Sequence, residues 1–177
     1  VMILPEDACH EAVLETGDEY PDALNLVSVG ARGCSILSRE PAAGKGEAGF
    51  RYRYAENDKC SSGAGENIQK IAGRFGMNVQ QADGLAKTAD SGIPITARCS
   101  VFTKSEMTHY ANQGKPTSDL FKGFCASVAR KANALLARTR VDGPVYLIGG
   151  VSMIDSFVDA FGEVLGRKPV VPDSQET

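Results

Sequence analysis

Two cysteines, Cys60 and Cys99, have the residue type and the setting for metal or redox chemistry. Each precedes small or hydroxyl residues that run into a helical pattern, in ENDKCSSGAGENIQKIAGRF and ARCSVFTKSEMTHYANQG. The unpaired N–H groups and the positive dipole end of a helix start stabilise a thiolate as an anion. Two thiolates are half of the four ligands in a typical iron–sulfur cluster or closed zinc site. The pair therefore raises the possibility that a second subunit supplies the other half.

The other three cysteines have structural explanations. Cys34 lies in an apolar, strand-like run, Cys125 on a helix face and Cys9 in a helix-like segment. A free cysteine in such a place behaves as a small hydrophobic residue. Five cysteines are an odd number at irregular spacings, so reduced intracellular thiols fit the sequence better than a disulfide framework.

Length and composition limit the class of protein. The 177 residues, 42% of them hydrophobic, are enough for one domain with a buried core. The net charge of −3 gives no electrostatic support for a nucleic-acid partner. No apolar run approaches the ~18 residues of a membrane span, and VMILPEDACHEA lacks the basic flank and cleavage site of a signal peptide. We therefore expect a cytoplasmic protein with neither a nucleic-acid nor a membrane partner.

The first elements that can position the cysteines are strands. ALNLVSVGARGCSILSRE predicts two antiparallel strands joined by a tight glycine turn at residues 30–33. FRYRYAEN predicts a third strand, with Arg51 and Arg53 on one face and Tyr52 and Tyr54 on the other. Since the chain is acidic overall, the alternating aromatic and basic residues indicate a half-exposed strand rather than a nucleic-acid surface.

Helical patterns follow these strands. Apolar residues at helical spacing predict a helix that Gly76 closes, and NVQQADGLAKTAD predicts another short one. Pro94 and its β-branched neighbours indicate an extended approach to Cys99, after which a helix ends at Gly114. A long helix with one apolar stripe then runs to about Arg138.

Two glycine-containing segments have the pattern of a nucleotide site. GPVYLIGG predicts a strand that ends in Gly149 and Gly150, followed at once by an amphipathic helix, and glycine there permits close approach of adenosine or phosphate. Ser62, Gly63 and Gly65 form a loop at a helix start whose backbone N–H groups could bind phosphate or ribose oxygens. A nucleotide held there would pull on the backbone that carries the first cysteine. A simple turn and a simple helix start remain the alternatives.

These segments resemble the BadF/BadG/BcrA/BcrD ATPase family. ENDKCSSGAGENIQ is similar to that family's NDKCAAGTGRF-type segment, and ARCSVFTKSE is similar to its CTVFAESE-type segment. VYLIGGVSMIDSFVDAFGEVLG is similar to its adenosine segment and the helix that follows. Cys60 and Cys99 stand 39 positions apart, as expected for the family's two cluster ligands. The resemblance extends from about Leu4 to the end of the chain.

The resemblance implies an α/β, actin-like ATPase fold of the type shared by sugar kinases, Hsp70 and ribonuclease H. It assigns residues 21–177 to the second of the usual two lobes, with the cluster-binding helices and the adenosine segment, and residues 1–20 to a remnant or edge of the first lobe. Family members are dimers in which one [4Fe–4S] cluster bridges the subunits. They use ATP to pass single electrons at low potential to a partner enzyme.

The resemblance also implies a set of site residues. Cys60 and Cys99 would be the cluster ligands, preceded by Lys59 and Arg98, which would offset the negative charge of the cluster. Glu106 falls on the family's SE pair and would contribute to the nucleotide site, or else act as a favourable charge at a helix start. The other contacts to ATP or ADP with Mg²⁺ would come from small residues, namely Gly30, Gly33, Ser62, Gly63, Gly65, Gly149 and Gly150.

The chain departs from the family pattern at the second phosphate loop. Where the family has a DIGGQD-like sequence, this chain has SVGARG, so both carboxylates that position Mg²⁺ and the attacking water are missing. Arg32 in this loop could contact a phosphate but cannot act as a base or a magnesium ligand. The first phosphate lobe and the family's C-terminal helix are also missing, which indicates either a fragment or a subunit specialised for cluster binding.

Three functional hypotheses remain open from the sequence. The first is an ATP-dependent electron-transfer activator, a homodimer or paralogous heterodimer that serves a dehydratase, a reductase or a similar acceptor enzyme. The second is a hydrolysis-deficient cluster-bearing or scaffold subunit of an enzyme-activating complex, for example in methyl-coenzyme M reductase activation in methanogens. The third is a non-redox module in which the cysteines are structural or bind zinc.

Overall fold

A four-stranded sheet of order β3-β2-β1-β4 organises the chain. The computed structural model describes residues 20–31, 33–42, 49–57, 64–96 and 100–172. β2 pairs antiparallel with both β1 and β3, whereas β4 lies parallel to β1. The strands are β1 (Leu24–Val29), β2 (Cys34–Pro41), β3 (Phe50–Glu56) and β4 (Val145–Ile148).

The register of the first hairpin follows from its apolar residues. Val27 pairs with Ile36 and Leu26 with Leu37, so that each face of the sheet receives matched hydrophobic side chains. The turn between the strands is closed by the Gly30 N–H, which donates to the Gly33 carbonyl at 2.9 Å. The two predicted antiparallel strands and their tight turn are confirmed.

Within the described part of the chain, five helices and one 3₁₀ turn accompany the sheet. The helix predicted after GPVYLIGG is interrupted, because Gly150–Met153 form a 3₁₀ turn and Ile154 is extended before the α-helix begins. Elsewhere the expected ends are confirmed, with Gly76 and Gly114 in the left-handed conformation that favours glycine. The helices are α1 (Ala64–Arg74), α2 (Val79–Lys87), α3 (Ser100–Asn112), α4 (Thr117–Leu136) and α5 (Asp155–Leu165).

The main core lies between one face of the sheet and the helices. The apolar stripe predicted for α4 is buried there, and α5 contributes two fully buried rings, Phe157 and Phe161, that stack in parallel. The opposite face of the sheet has a smaller cluster that includes Leu26, Leu37 and Ile148. The sheet is therefore apolar on both faces, as a central layer of an α/β protein must be.

A buried asparagine fixes β4 in its parallel position. The Asn25 side chain, which is fully buried, donates to the Val141 carbonyl at 3.0 Å and accepts from the Val141 N–H at 2.9 Å. Its oxygen also accepts from the Ser38 hydroxyl at 2.9 Å. This network joins β1, β2 and the connection from α4 to β4, and each polar group in it is satisfied.

The third strand is more exposed than the half-exposed strand predicted from its alternation. Of its seven residues only Ala55 is buried, because β3 lies at the edge of the sheet, beyond the helices. Arg53 pairs with Glu40 of β2, and the Arg39 guanidinium lies 4.6 Å from the centre of the Phe50 ring. None of the helices within the described residues is long and apolar enough to cross a membrane.

Candidate nucleotide-binding site

The parallel pair β1 and β4 ends at one edge of the sheet, and the predicted glycine segments meet there. Residues 30–33 follow the carboxyl end of β1, and Gly149 follows that of β4. In open α/β sheets, ligands bind in the crevice outside the carboxyl ends of the strands. The topology therefore brings residues more than a hundred positions apart to one place.

Gly149 is required by the local backbone. Its φ is +86°, a conformation that favours glycine, and a Cβ placed there would lie 2.7 Å from the Val29 carbonyl oxygen. Because glycine has no side chain, the end of β4 can pack directly against the end of β1. At Gly150, by contrast, an added Cβ would meet open space.

The start of α1 packs on the turn between β1 and β2. The Gly65 N–H donates to the Gly30 carbonyl at 3.2 Å, and the Glu66 N–H donates to the Ala31 carbonyl at 3.1 Å. A Cβ on Gly65 would lie 3.1 Å from the Ala31 Cα, so glycine permits this close contact. Since its N–H is already bonded, Gly65 joins the turn to the helix rather than presenting a free donor to a phosphate.

A cavity of about 490 Å³ lies beside this edge, with one wall from α1 and α2 and the other from the segment after β4. The second wall consists of Gly150, Met153 and Ile154. Among the described residues that line the cavity there is no Lys or Arg. The first wall combines one apolar residue with amides and one carboxylate, namely Gln69, Asn78, Val79, Gln80 and Asp83.

Asp83 links the two walls. Its carboxylate accepts from the backbone N–H of Ser156 at 2.9 Å and from that of Asp155 at 3.3 Å, and so caps the start of α5 from outside the helix. Lys87, one turn further along α2, forms an ion pair with the Asp155 side chain. These contacts hold α2 against the start of α5 and fix the orientation of the Asp83 carboxylate at the cavity.

The cavity and the strand ends differ chemically, because the cavity is lined by side chains and the strand ends expose backbone. The Asp83 carboxylate suits a neutral group with hydrogen-bond donors, such as a ribose hydroxyl or a base edge, and it repels phosphate, whereas the amides can both donate and accept. The glycine turns at the strand ends bring backbone close to any ligand without a side chain between them. The arrangement can therefore accept a neutral part of a ligand in the cavity and lets another part of it approach the backbone closely at the strand ends.

The structure brings some of the predicted cofactor residues together, whereas others lie outside the described residues. Gly30, Gly33, Gly65 and Gly149 come together at the strand ends, and Gly150 lines the cavity. Ser62 and Gly63, the two predicted cluster ligands Cys60 and Cys99, and Lys59, Arg98 and Arg32 lie outside the described residues. Their predicted roles stay predictions, as does the boundary between residues 1–20 and 21–177.

Glu106 contacts the segment that precedes α3, and its predicted contribution to the nucleotide site stays a prediction. It is the seventh residue of α3, whose first turn has no acidic residue, so the interpretation as a helix-start charge is wrong. Its carboxylate accepts from the Thr96 N–H at 2.8 Å and from the Thr96 hydroxyl at 3.4 Å. The contact fixes the chain segment that leads to Cys99.

Cys34 and Cys125 have the properties of structural thiols. Burial raises the pKa of Cys34 to about 12. Burial likewise raises the pKa of Cys125 to about 11, and the Cys125 sulfur lies 3.4 Å from the Ser156 hydroxyl oxygen. Both thiols are free, and within the described ranges no group of three or more His, Cys, Asp or Glu could hold a metal ion.

Sequence reasoning missed the residues of the α2 wall. NVQQAD shows only an ordinary helix start, with Asn78 and Gln81 forming a reciprocal capping box. No spacing rule points from Asp83 to a helix start more than seventy residues later. The polar residues at the start of α2 were the one available signal of a site, because a helix that only packs on the core does not require polar residues there.

Comparisons of this chain with known proteins agree on one family. The model of the BadF/BadG/BcrA/BcrD ATPase family matches residues 44–175. The chain is 23% identical over 153 residues to the 2-hydroxyisocaproyl-CoA dehydratase activator of Clostridioides difficile, an alignment that covers 86% of this chain and 55% of the relative. The chain spans little more than half the length of such curated relatives.

Solved structures give the fold. The activator of the 2-hydroxyisocaproyl-CoA dehydratase from Clostridium difficile, with bound ADPNP, matches with a TM-score of 0.72 at 22% identity, covering 86% of this chain and 55% of that one. The xylulose kinase from Rhodospirillum rubrum matches with a TM-score of 0.57 at 15% identity, covering 83% and 34%. The predicted actin-like α/β fold is thus confirmed, and by the extent of the family match the chain belongs to the BadF/BadG/BcrA/BcrD ATPase family.

Proposed function

We propose that this protein binds an adenine nucleotide at the edge where β1 and β4 end. The observation that carries the proposal is the meeting of Gly30, Gly65 and Gly149 beside the cavity. The adenosine part would occupy the cavity, with Asp83 accepting hydrogen bonds from ribose or base. The phosphates would lie toward the glycine turns, away from the carboxylate.

Cys60 and Cys99 are the proposed ligands of a [4Fe–4S] cluster shared with a second subunit. Support comes from the family resemblance and from two of the other three thiols, since Cys34 and Cys125 are held protonated by burial and are poor ligands, while Cys9 lies outside the described residues. A cluster bound there would supply one-electron storage at low potential. The chain's own contribution would be two thiolates from residues that precede helices in the sequence, since α3 begins at the residue after Cys99.

The function that follows is an ATP-dependent activator that donates electrons to an acceptor enzyme. Relatives of this chain are named as activators of acyl-CoA dehydratases and as a subunit of benzoyl-CoA reductase. In our proposal the acceptor of this chain is an enzyme of the same broad kind. The contacts of α1 with the turn at residues 30–33 would let a bound nucleotide act on the helix that follows Cys60.

A second candidate is nucleotide binding without hydrolysis. The end of β1 and the turn after it read SVGARG and supply no carboxylate for Mg²⁺ or for the attacking water. The protein would then be a cluster-bearing or scaffold subunit of an activating complex, and its nucleotide would act by binding alone.

Anaerobic purification after iron-supplied expression tests the cluster. We expect a brown protein with about four iron atoms and four sulfides per two chains, as a cubane cluster requires. The Cys60→Ser and Cys99→Ser variants should each lose the colour, whereas Cys125→Ala should keep it. A colourless monomer from the same preparation would contradict the cluster proposal.

Calorimetric titration with ATP, ADP and a non-hydrolysable analogue tests the nucleotide site. We expect binding of all three, and phosphate release at no more than background rate if the second candidate is correct. Asp83→Asn removes the charge and keeps one acceptor oxygen for the Ser156 N–H but not the second acceptor for Asp155, so its melting temperature is measured beside its affinity to separate a change in binding from a loss of structure. Failure of every nucleotide to bind would overturn both candidates.

A further inference from the structure

The strand β3 presents three aromatic rings on one exposed face. Among the described strands β3 has a neighbour on one side only, and six of its seven residues are exposed. Phe50, Tyr52 and Tyr54 alternate along the strand and are 40%, 39% and 48% exposed. Neighbouring large rings in such a position are typical of a protein interface, and the outer side of an edge strand can pair with a further strand.

A buried arginine lies beside these rings. Arg39 of β2 pairs with Tyr52 of β3, so the two side chains lie on the same face of the sheet. Arg39 is 5% exposed, and its guanidinium carbon lies 4.6 Å from the centre of the Phe50 ring. The side chain therefore extends from β2 toward the edge of the sheet.

The Arg39 guanidinium is not paired with an opposite charge. Among the described residues it takes part in none of the ion pairs, and its one hydrogen bond runs from Nη2 to the Pro21 carbonyl at 3.3 Å. Its Nε is buried and has no hydrogen-bond acceptor. A buried cation costs free energy unless it is paired and hydrogen-bonded, and the contact with the Phe50 ring offsets only part of that cost. A carboxylate that reached Nε would supply both the acceptor and the opposite charge.

The charges of β2 and β3 favour an acidic partner over a second copy of this chain. Antiparallel pairing of β3 with itself along its full length would place Arg53 opposite Arg53, and like charges directly opposite destabilise a sheet. The two strands carry three arginines against two glutamates, a positive excess in a chain of net charge −3. A nucleic acid or a membrane would bring phosphates but no backbone groups that continue a sheet. The charged residues are Arg39, Arg51, Arg53, Glu40 and Glu56.

We propose that β3 and Arg39 dock an extended acidic segment of a partner protein, which adds to the sheet as a further strand. The segment's backbone pairs with the outer side of β3, and its apolar side chains cover the three rings. One of its carboxylates binds the Arg39 guanidinium. Tyr54 pairs with Leu37, so this surface lies on the face of the sheet opposite the main core. It is separate from the nucleotide cavity, and it stands without the nucleotide or the cluster.

Titration of the full chain with fluorescent synthetic peptides tests the inference. The peptides have the length of β3 and carry two glutamates on one face, moved one position at a time along a background of valine and threonine. We expect at least one peptide to bind saturably, and its glutamine counterpart to bind about tenfold more weakly. Methylation of alternate backbone nitrogens of that peptide should abolish binding, because it removes the donors that pair with β3. Failure of every peptide, or equal binding of the glutamate and glutamine forms, would overturn the proposal.

Variants of the chain locate the binding surface. Arg39→Gln should weaken the glutamate peptide about tenfold and leave the glutamine peptide unchanged, whereas Tyr54→Ser should weaken both. Two controls, Arg140→Gln and Val170→Ser, remove an exposed arginine and an exposed apolar side chain elsewhere and should change neither peptide. Because Arg39 is buried, Arg39→Lys provides a second measurement that keeps the charge and should keep the preference for glutamate. Equal weakening of both peptides in a folded Arg39→Gln protein would refute the role of the arginine.

Other occupants give different results in the same assay. Vesicles of phosphatidylserine and phosphatidylcholine, a single-stranded oligonucleotide and inorganic phosphate are titrated beside the peptides. Binding of any of these more tightly than the peptides, with the same dependence on Arg39, would assign the surface to phosphate and overturn the proposal. A dimer that Arg39→Gln dissociates would assign it to a second copy, with the same consequence. Amide chemical-shift changes on peptide binding should be confined to β2 and β3, and changes only elsewhere would contradict the site.

Discussion

At the scale of single residues, chemically similar side chains acquire opposite properties from their surroundings. Cys125 is buried against α5, and burial raises its pKa to about 11. The thiols proposed as ligands, Cys60 and Cys99, instead precede α1 and α3 in the sequence, and an anion is favoured at a helix start. Likewise Gly149 is required by a positive φ and a close backbone contact, while its neighbour Gly150 faces open space. Residue type alone therefore predicts neither the difference between the cysteines nor that between the two glycines.

The buried Cys125 thiol should make stability depend on pH in alkali. The folded state keeps the proton up to pH 11, whereas the unfolded chain releases it near pH 9.0, so stability is complete below pH 9 and falls as pH rises toward 11. The slope is about 1.4 kcal/mol per pH unit for this group. Urea unfolding between pH 8 and 10.5 should give a smaller slope in Cys125→Ala, and parallel curves would contradict the assignment.

Alanine at Gly149 and at Gly150 should separate structure from binding. Gly149→Ala should lower the free energy of unfolding by about 1–3 kcal/mol, because a positive φ and a clash with the Val29 carbonyl are both imposed on it. Gly150→Ala should change stability by less than about 0.5 kcal/mol and still weaken ATP binding, because its methyl group would enter the cavity. Unchanged affinity in Gly150→Ala would exclude Gly150 as a nucleotide contact.

At the scale of elements, close backbone contacts hold the helices in place, and the helix sequences alone do not predict these contacts. The clearest is between α4 and the segment before Cys99, where a Cβ on Gly123 would lie 1.7 Å from the Ile93 carbonyl oxygen. Helix propensity alone would favour alanine at this position. Glycine at position 123 indicates that the close approach of the segment containing Ile93 stabilises the fold more than alanine would stabilise the helix.

Replacing Gly123 by alanine should therefore be strongly destabilising. The methyl group would displace residues 92–96, and the free energy of unfolding should fall by more than about 3 kcal/mol, beyond the usual cost of overpacking. The control is Gly84→Ala in α2, where nothing lies near the added Cβ and a gain of about 0.5–1 kcal/mol is expected. Urea unfolding measures both, and equal effects would show that the close contact carries no energetic weight.

At the scale of the whole molecule, the exposed apolar residues point to assembly. Val101 and Phe102, two and three positions after the second proposed ligand, are 65% and 71% exposed. Neighbouring large hydrophobic side chains that are exposed close to a proposed ligand are typical of an interface. In the proposed dimer they would lie beside the shared cluster and be covered by the second copy.

Phe102→Ser should weaken that dimer and leave the monomer intact. Because the ring is exposed in the single chain, the melting temperature of the iron-free protein should be unchanged, while the dissociation constant of the iron-loaded dimer should rise at least tenfold, equivalent to about 1.4 kcal/mol. Sedimentation velocity over a range of concentrations measures the change. An unaffected dissociation constant would place the interface elsewhere.

Much of the fold and part of the site could be predicted from the sequence, because the signals are local. Alternating and helical periodicity gave the strands and helices, and glycines at element ends gave the turns, since both reflect the geometry of a few adjacent residues. The motif around each cysteine gave the family. The tertiary structure alone decided that Gly65 bonds the turn after β1, that Asp83 caps α5 and lines the cavity, and that Glu106 holds Thr96. These contacts join residues distant in the chain through parallel pairing and helix packing, and no local pattern specifies which distant partner a polar side chain will meet.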